Sequence, residues 1–170
     1  MRRLATAAVL AGSVLAVGLL PATASAQQTM SASVNKCAQK VTFRNSQTGY
    51  YLDASGGGGA GTKVITWNRN GGSNQRWCLE KAKEGGWYFH PSYNLNLCMD
   101  SPNASDDRPV IWRCKGNSNQ RFNVYGTSVY GGKYFIQLRR NGRYVTEDGR
   151  GGQVVMAYRL SDFHRASLWK

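Results

Sequence analysis

The chain has 170 residues, 22 Lys and Arg against 9 Asp and Glu, a formal net charge of +13, and 41% hydrophobic residues. Less any processed segment, that length holds one domain with one sizeable core and leaves no room for a second large folded unit. The basic balance favours anionic partners such as nucleic acid, cell-wall polymers or acidic glycans, and carries no information on fold.

The N-terminal stretch reads Arg2 and Arg3, an apolar run from Leu4 to Leu20, then Pro21 and Ala22-Thr23-Ala24-Ser25-Ala26. This is the pattern of a secretory signal peptide over 1–26, cleaved after Ala26, which predicts a secreted, extracellular protein; the Ala-rich character reads as bacterial. The alternative is a membrane anchor. A spanning helix needs about 20 apolar residues, whereas this run is Ala- and Gly-rich and ends on a cleavage-type Ala-Ser-Ala, so no stable membrane span is expected. A short extension, 27–36, follows. Loss of Arg2 and Arg3 with the signal peptide leaves 20 basic residues against the 9 acidic ones, a net charge of +11. The cations (Lys36, Lys40, Arg44, Lys63, Arg69, Lys81, Arg108, Lys115, Arg139, Arg140 and Arg143 among them) are scattered.

From residue 37 to 170 the chain repeats itself, with units at about 37–82, 83–126 and 127–170. Gln75-Arg76-Trp77, Gln120-Arg121-Phe122 and Ser167-Leu168-Trp169 close the units at spacings of 45 and 47 residues. Upstream, Tyr51-Leu52-Asp53, Cys98-Met99-Asp100 and Tyr144-Val145-Thr146 occupy one shared place, and an aromatic follows at Trp67, Trp112 and Tyr158. Within the units, apolar residues come in short alternating runs such as Val64-Ile65-Thr66-Trp67 and Tyr134-Phe135-Ile136-Gln137-Leu138. Gly, Asn and Ser separate them, as expected of strands and turns. Three units of roughly four strands each predict a closed all-β assembly in which every unit buries its apolar face against the others.

Leu52-Asp53, Trp67 and Ser73-Asn74-Gln75-Arg76-Trp77 resemble the Q-x-W repeat of ricin B-type lectins. Cys98-Met99-Asp100, Trp112-Arg113-Cys114 and Ser118-Asn119-Gln120-Arg121-Phe122 repeat the match, and the third unit is degenerate. The resemblance covers about 37–170 and implies a β-trefoil with pseudo-threefold symmetry and a carbohydrate-binding, lectin-like function. In that family the Gln and the final aromatic are largely core residues.

Four cysteines in a short exported chain imply disulfides, with three possible connectivities. Cys98 and Cys114 are both absent from the equivalent places of the other units (Tyr51 and Arg69; Tyr144 and Leu160), as a bonded pair within one repeat would be. That leaves Cys37 to pair with Cys78. A metal site is the alternative and lacks close C-x-x-C spacing; neither metal nor cofactor is expected.

A pyranose offers hydroxyl pairs on its edge and an apolar C–H face. A shallow sugar site therefore needs a carboxylate or amide to grip adjacent hydroxyls and a flat aromatic beneath the ring. In the first unit Asp53, Trp67 and Asn74 supply these groups, bordered by Gln75; in the second, Asp100, Trp112 and Asn119, bordered by Gln120. These positions also match the sugar-contacting ones that the resemblance implies. Each residue has a structural alternative: core packing for the Trp residues, turn capping for the Asp residues. Gln75 and Gln120 are read chiefly as ties to backbone groups under the final aromatic. The third unit has Thr146 in place of the Asp and Arg165 in place of the Asn, so its site reads as lost, with Glu147 and Asp148 as the carboxylates available to substitute. Ile65 and Val110 stand where sugar-binding relatives often carry a polar side chain, which leaves the preferred sugar open.

His90 and His164 are the only histidines and neither accompanies a nucleophile motif, so catalysis would require a site unrelated to the repeat, and the chain is read as a binding protein and not an enzyme. The competing reading is a trefoil adaptor or inhibitor that meets a protein partner, as in a larger secreted assembly, through the irregular segments Lys83 to Gly86 or Ser101 to Arg108. Nucleic-acid binding would need a basic stripe interleaved with aromatics, which the scattered charge does not provide.

Overall fold

The computed structural model describes residue 37 and residues 40–102, 108–127, 131–158 and 167–170. The expected signal peptide and extension, 1–36, lie outside the described residues, as do Arg165 and His164. Among the described residues twelve strands follow one another: β1 (Lys40–Val41), β2 (Tyr51–Ala54), β3 (Val64–Trp67), β4 (Trp77–Lys81), β5 (Trp87–Pro91), β6 (Leu97–Asp100), β7 (Val110–Arg113), β8 (Phe122–Thr127), β9 (Lys133–Leu138), β10 (Tyr144–Thr146), β11 (Val155–Ala157) and β12 (Leu168–Trp169). Among the described residues the helical segments are single 3-10 turns at Ser55–Gly57, Ser73–Gln75 and Ser118–Gln120.

The ladder β1–β4–β5–β8–β9 is antiparallel, and β12 pairs with β9. Reciprocal backbone bonds between Arg44 and Lys170, both 2.9 Å, then join the end of the chain to the segment after β1. Six strands thereby close into a barrel, which removes the exposed sheet edges that invite aggregation. Three hairpins, β2–β3, β6–β7 and β10–β11, one from each unit, lie outside that ring and meet one another. The Val64 N–H donates to Pro109 and the Val154 N–H to Val64. A six-stranded barrel with a triangle of hairpins is the β-trefoil that the family resemblance implied.

The closing residues of the units form the floor. Trp77, Phe122 and Trp169 are fully buried, together with Leu52, Met99 and Val145 from the hairpins. A buried indole must satisfy its N–H, since an orphaned donor costs about 1–3 kcal/mol. Trp77 Nε1 donates to the Leu52 carbonyl at 3.0 Å and Trp169 Nε1 to the Val145 carbonyl at 3.1 Å, the same tie in two units. Phe122 fills the place in the second unit and brings no donor to satisfy. Each tie fixes the backbone of the residue just before Asp53 or Thr146, and so aims the hairpin that carries the candidate site.

The two disulfides are Cys37–Cys78 and Cys98–Cys114, as the repeat register required. The second staples the β6–β7 hairpin, in which Cys98 stands opposite Trp112. His90 lies 3.6 and 3.4 Å from the Cys98 and Cys114 sulfurs. Those sulfurs are bonded to each other and carry no thiolate charge with which to hold a metal ion. The His90 ring is buried and spans Glu80 at 3.0 Å and the Leu97 carbonyl at 2.9 Å, tying three strands together.

Candidate functional site

In β3 the pleat alternates. Val64 and Thr66 are buried, whereas Ile65 and Trp67 face outward on one side, and Trp67 keeps 41% of its surface exposed. β7 repeats the pattern, with Val110 and Trp112 outward, Trp112 39% exposed and Ile111 buried. Both Trp residues are therefore surface platforms and not core. Across the hairpins, Asp53 pairs with Ile65 and Asp100 with Val110, so each carboxylate lies beside the platform of its own unit.

Asp53 is nearly fully buried, yet its carboxylate is well partnered. Asn74 Nδ2 donates to both oxygens at 2.8 Å, Gln75 Nε2 donates at 2.8 Å, and Asn70 Nδ2 reaches it at 3.5 Å. Gln75 Nε2 also donates to the Asn68 carbonyl at 2.7 Å, while its oxygen accepts from the Asn70 N–H at 3.0 Å. The second unit reproduces this clasp. Gln120 Nε2 donates to Asp100 at 2.7 Å and to the Arg113 carbonyl at 2.9 Å, and its oxygen accepts from the Lys115 N–H at 2.7 Å. The Gln residues thus brace the carboxylates from below and fix the turn after each platform, a structural role close to the one expected of them. Burial raises the pKa of Asp53 above the usual carboxylate value, with Gln75 and Asn74 pulling it back. Burial raises that of Asp100 as well, opposed by Gln120, Lys115 and Arg140.

Around Asp53, Trp67 and Asn74 an open pocket of about 400 Å³ is lined further by Ser55, Gly56, Ile65, Asn70 and Gly151. Around Asp100, Trp112 and Asn119 a pocket of about 300 Å³ takes in Pro102, Val110, Lys115 and Asn117. All the residues expected of the two sites come together in this way. Asn70 and Lys115 were not anticipated, although both stand three residues after the platform Trp. Gly151 was also unforeseen. It reaches the first site from the third unit, and its N–H donates to the Thr66 carbonyl at 2.6 Å. Its φ of +69° and a neighbouring Trp67 ring, 2.5 Å from where a Cβ would stand, both require glycine.

The third unit departs from the sequence alignment. Tyr144 pairs with Ala157, as Tyr51 pairs with Trp67 and Cys98 with Trp112, so the platform position belongs to buried Ala157 and not to Tyr158. One residue along a strand is the opposite face. Tyr158 stands outside that register, with the Arg143 guanidinium 3.5 Å from its ring centroid. Glu147 and Asp148 do not replace the missing carboxylate. Glu147 is buried and accepts from the hydroxyls of Thr48 at 2.6 Å and Thr66 at 3.1 Å, both in the first unit, and Asp148 pairs with Arg108 at 3.2 Å.

A family model described as the ricin-type β-trefoil lectin domain matches residues 39–157. Among solved structures, a designed threefold-symmetric protein, ThreeFoil, is similar at a TM-score of 0.68 and 18% identity, covering 77% of this chain and 96% of that one. The Macrolepiota procera ricin B-like lectin in complex with lactose is similar at 0.64 and 15%, covering 79% and 94%. An exo-β-1,3-galactanase from Clostridium thermocellum is similar at 0.68 and 17%; the match covers 78% of this chain but 30% of the galactanase. Among curated proteins none matches this sequence.

Proposed function

We propose, from the premise that the chain belongs to the ricin-type β-trefoil lectin domain family, that it is a secreted carbohydrate-binding protein. It holds sugars at two shallow sites, one in each of the first two units, and acts by binding and not by catalysis. The observation that carries this reading is the duplication. A buried carboxylate clasped by a Gln beside an outward-facing Trp is built twice, each time at an open pocket.

In each site the carboxylate accepts from a pair of sugar hydroxyls while the indole covers the apolar face of the ring. Because Asp53 is held by Asn74 and Gln75, and Asp100 by Gln120, before any ligand arrives, little side-chain freedom is lost on binding. Single open sites of this kind are weak, and two on one rigid body gain through multivalency on a glycan-coated surface.

A glycan array with the mature protein, 27–170, tests the reading; lactose, the sugar in the Macrolepiota procera lectin complex, is the first free competitor to try. At a net charge of +11 some retention on acidic polymers is electrostatic, and raising salt from 0.1 to 1 M shortens the Debye length from about 10 to about 3 Å and removes it. Glycan binding that survives salt and yields to a neutral sugar supports the proposal; complete loss in salt replaces it with a simple electrostatic binder.

A further inference from the structure

Asn70 and Lys115 are equivalent by geometry as well as by spacing. Each sits three residues after the platform Trp, and each donates its backbone N–H to the side-chain oxygen of the clasping Gln, at 3.0 and 2.7 Å. Their side chains therefore start from the same point beside the carboxylate. In the first pocket the side chain is a neutral amide that bonds to Asp53 and Asn74. In the second it is an ammonium on the pocket wall with Asp100, Trp112 and Asn119.

The charge around the two carboxylates differs accordingly. Asp53 has amide partners and, among the described residues, no cation lines its pocket; the Arg150 guanidinium lies 5.2 Å from the Trp67 ring centroid. Asp100 feels both Lys115 and Arg140. Asn119 differs from Asn74 too: among the described residues its amide makes no hydrogen bond to Asp100, so it remains available to a ligand. The carboxylate of the second pocket thus shares its wall with the Lys115 ammonium, whereas that of the first is bordered by amide side chains.

We infer that the two sites take different ligands: the first a neutral sugar, the second a sugar bearing an anionic substituent, a carboxylate or sulfate, that meets Lys115 while the ring stacks on Trp112 and its hydroxyls reach Asp100. This rests on the lectin reading above and adds a specificity-determining residue to it. An ammonium is a strongly hydrated point charge with three donors, suited to a carboxylate or sulfate at the rim of a shallow pocket. The same charge offers a neutral sugar no comparable gain.

The test separates the two sites. Asp53→Asn silences the first and Asp100→Asn the second, and each is read on an array in which neutral hexosides stand beside their 6-carboxylate and 6-O-sulfate counterparts. Asp53→Asn is expected to prefer the acidic members by about tenfold. Adding Lys115→Asn, which copies Asn70, should abolish that preference, whereas adding Lys40→Asn, on a barrel strand outside both pockets, should not. Asp100→Asn should prefer the neutral members. If Asp53→Asn binds acidic and neutral members equally, or Lys115→Asn leaves its preference intact, the inference is overturned and the lectin reading stands. If wild type and both variants bind no glycan at all, the lectin reading itself has failed.

Discussion

Thr146 and Ser167 hold each other through their hydroxyls at 2.8 Å, in the place where Asp53 meets Gln75 and Asp100 meets Gln120. The third unit has kept the link between its hairpin and its closing segment but has built it from two short neutral side chains. Where the first two units place a buried carboxylate, the third places a hydroxyl. With Ala157 in the platform position, the third unit lacks both halves of the site.

Thr146→Ala should therefore leave glycan binding unchanged while lowering stability. The variant removes the Thr146–Ser167 hydrogen bond from the core, at a cost of about 0.5–1.5 kcal/mol. Thermal melting beside a binding isotherm checks both halves, and a loss of binding without a loss of stability would restore a ligand role to the third unit.

Gly151→Ala should damage the first site from another unit. The added Cβ would fall 2.5 Å from the Trp67 ring, on backbone with φ +69°, so the platform or the loop must shift. Binding retained by Asp100→Asn, which reports the first site, should fall, and binding retained by Asp53→Asn should not. Trp67 fluorescence should move with it.

Acid should release ligand at a higher pH than an ordinary carboxylate would suggest. Burial holds Asp53 and Asp100 above the usual carboxylate range, and the ionised form is the one that accepts from two hydroxyls with charge assistance. Binding is thus lost as pH falls through these raised values. Stability runs in the opposite sense: a carboxylate whose folded pKa is raised contributes stability below its unfolded pKa and loses that contribution as pH rises through the folded one. Affinity and melting temperature measured at matched pH between 7 and 4 should diverge, with affinity falling while these two groups favour the fold.

Removing the Cys98–Cys114 bond by a double Ala substitution should cost about 3 kcal/mol, the entropy of opening a loop of roughly its 16-residue separation. Because Cys114 lies between Arg113 and Lys115, which frame the Gln120 clasp, the second site should lose more affinity than the first. Unfolding curves and site-silenced binding assays give the two numbers.

Much of this molecule was legible in its sequence, and what was not has identifiable causes. The repeat grouped Asp53, Trp67, Asn74 and Gln75, and Asp100, Trp112, Asn119 and Gln120, because a repeated unit must put equivalent side chains in equivalent places; that each Gln also grips the carboxylate of its unit was not read from it. The absence of Cys98 and Cys114 equivalents elsewhere named the disulfide. In the third unit spacing misled. Twelve residues separate Asp100 from Trp112 and Thr146 from Tyr158 alike, yet the β10–β11 loop is one residue shorter than the β6–β7 loop, and main-chain pairing puts Ala157 in register. Glu147 could not be placed either, since its partners Thr48 and Thr66 are 99 and 81 residues away. Contacts of that separation belong to the assembled trefoil and leave no local pattern.

The most direct test of the two-site lectin is binding to a glycan-coated surface by wild type, Asp53→Asn, Asp100→Asn and the double variant, each with a thermal melt. Each single change should remove charge-assisted bonds worth about 1.5–3 kcal/mol, or roughly ten- to a hundred-fold in affinity at its own site. The double variant should lose far more on the surface than either single variant, because multivalency goes with the second site. If all three variants melt like folded protein and bind like wild type, Asp53 and Asp100 are not the sugar ligands and the two-site lectin is contradicted.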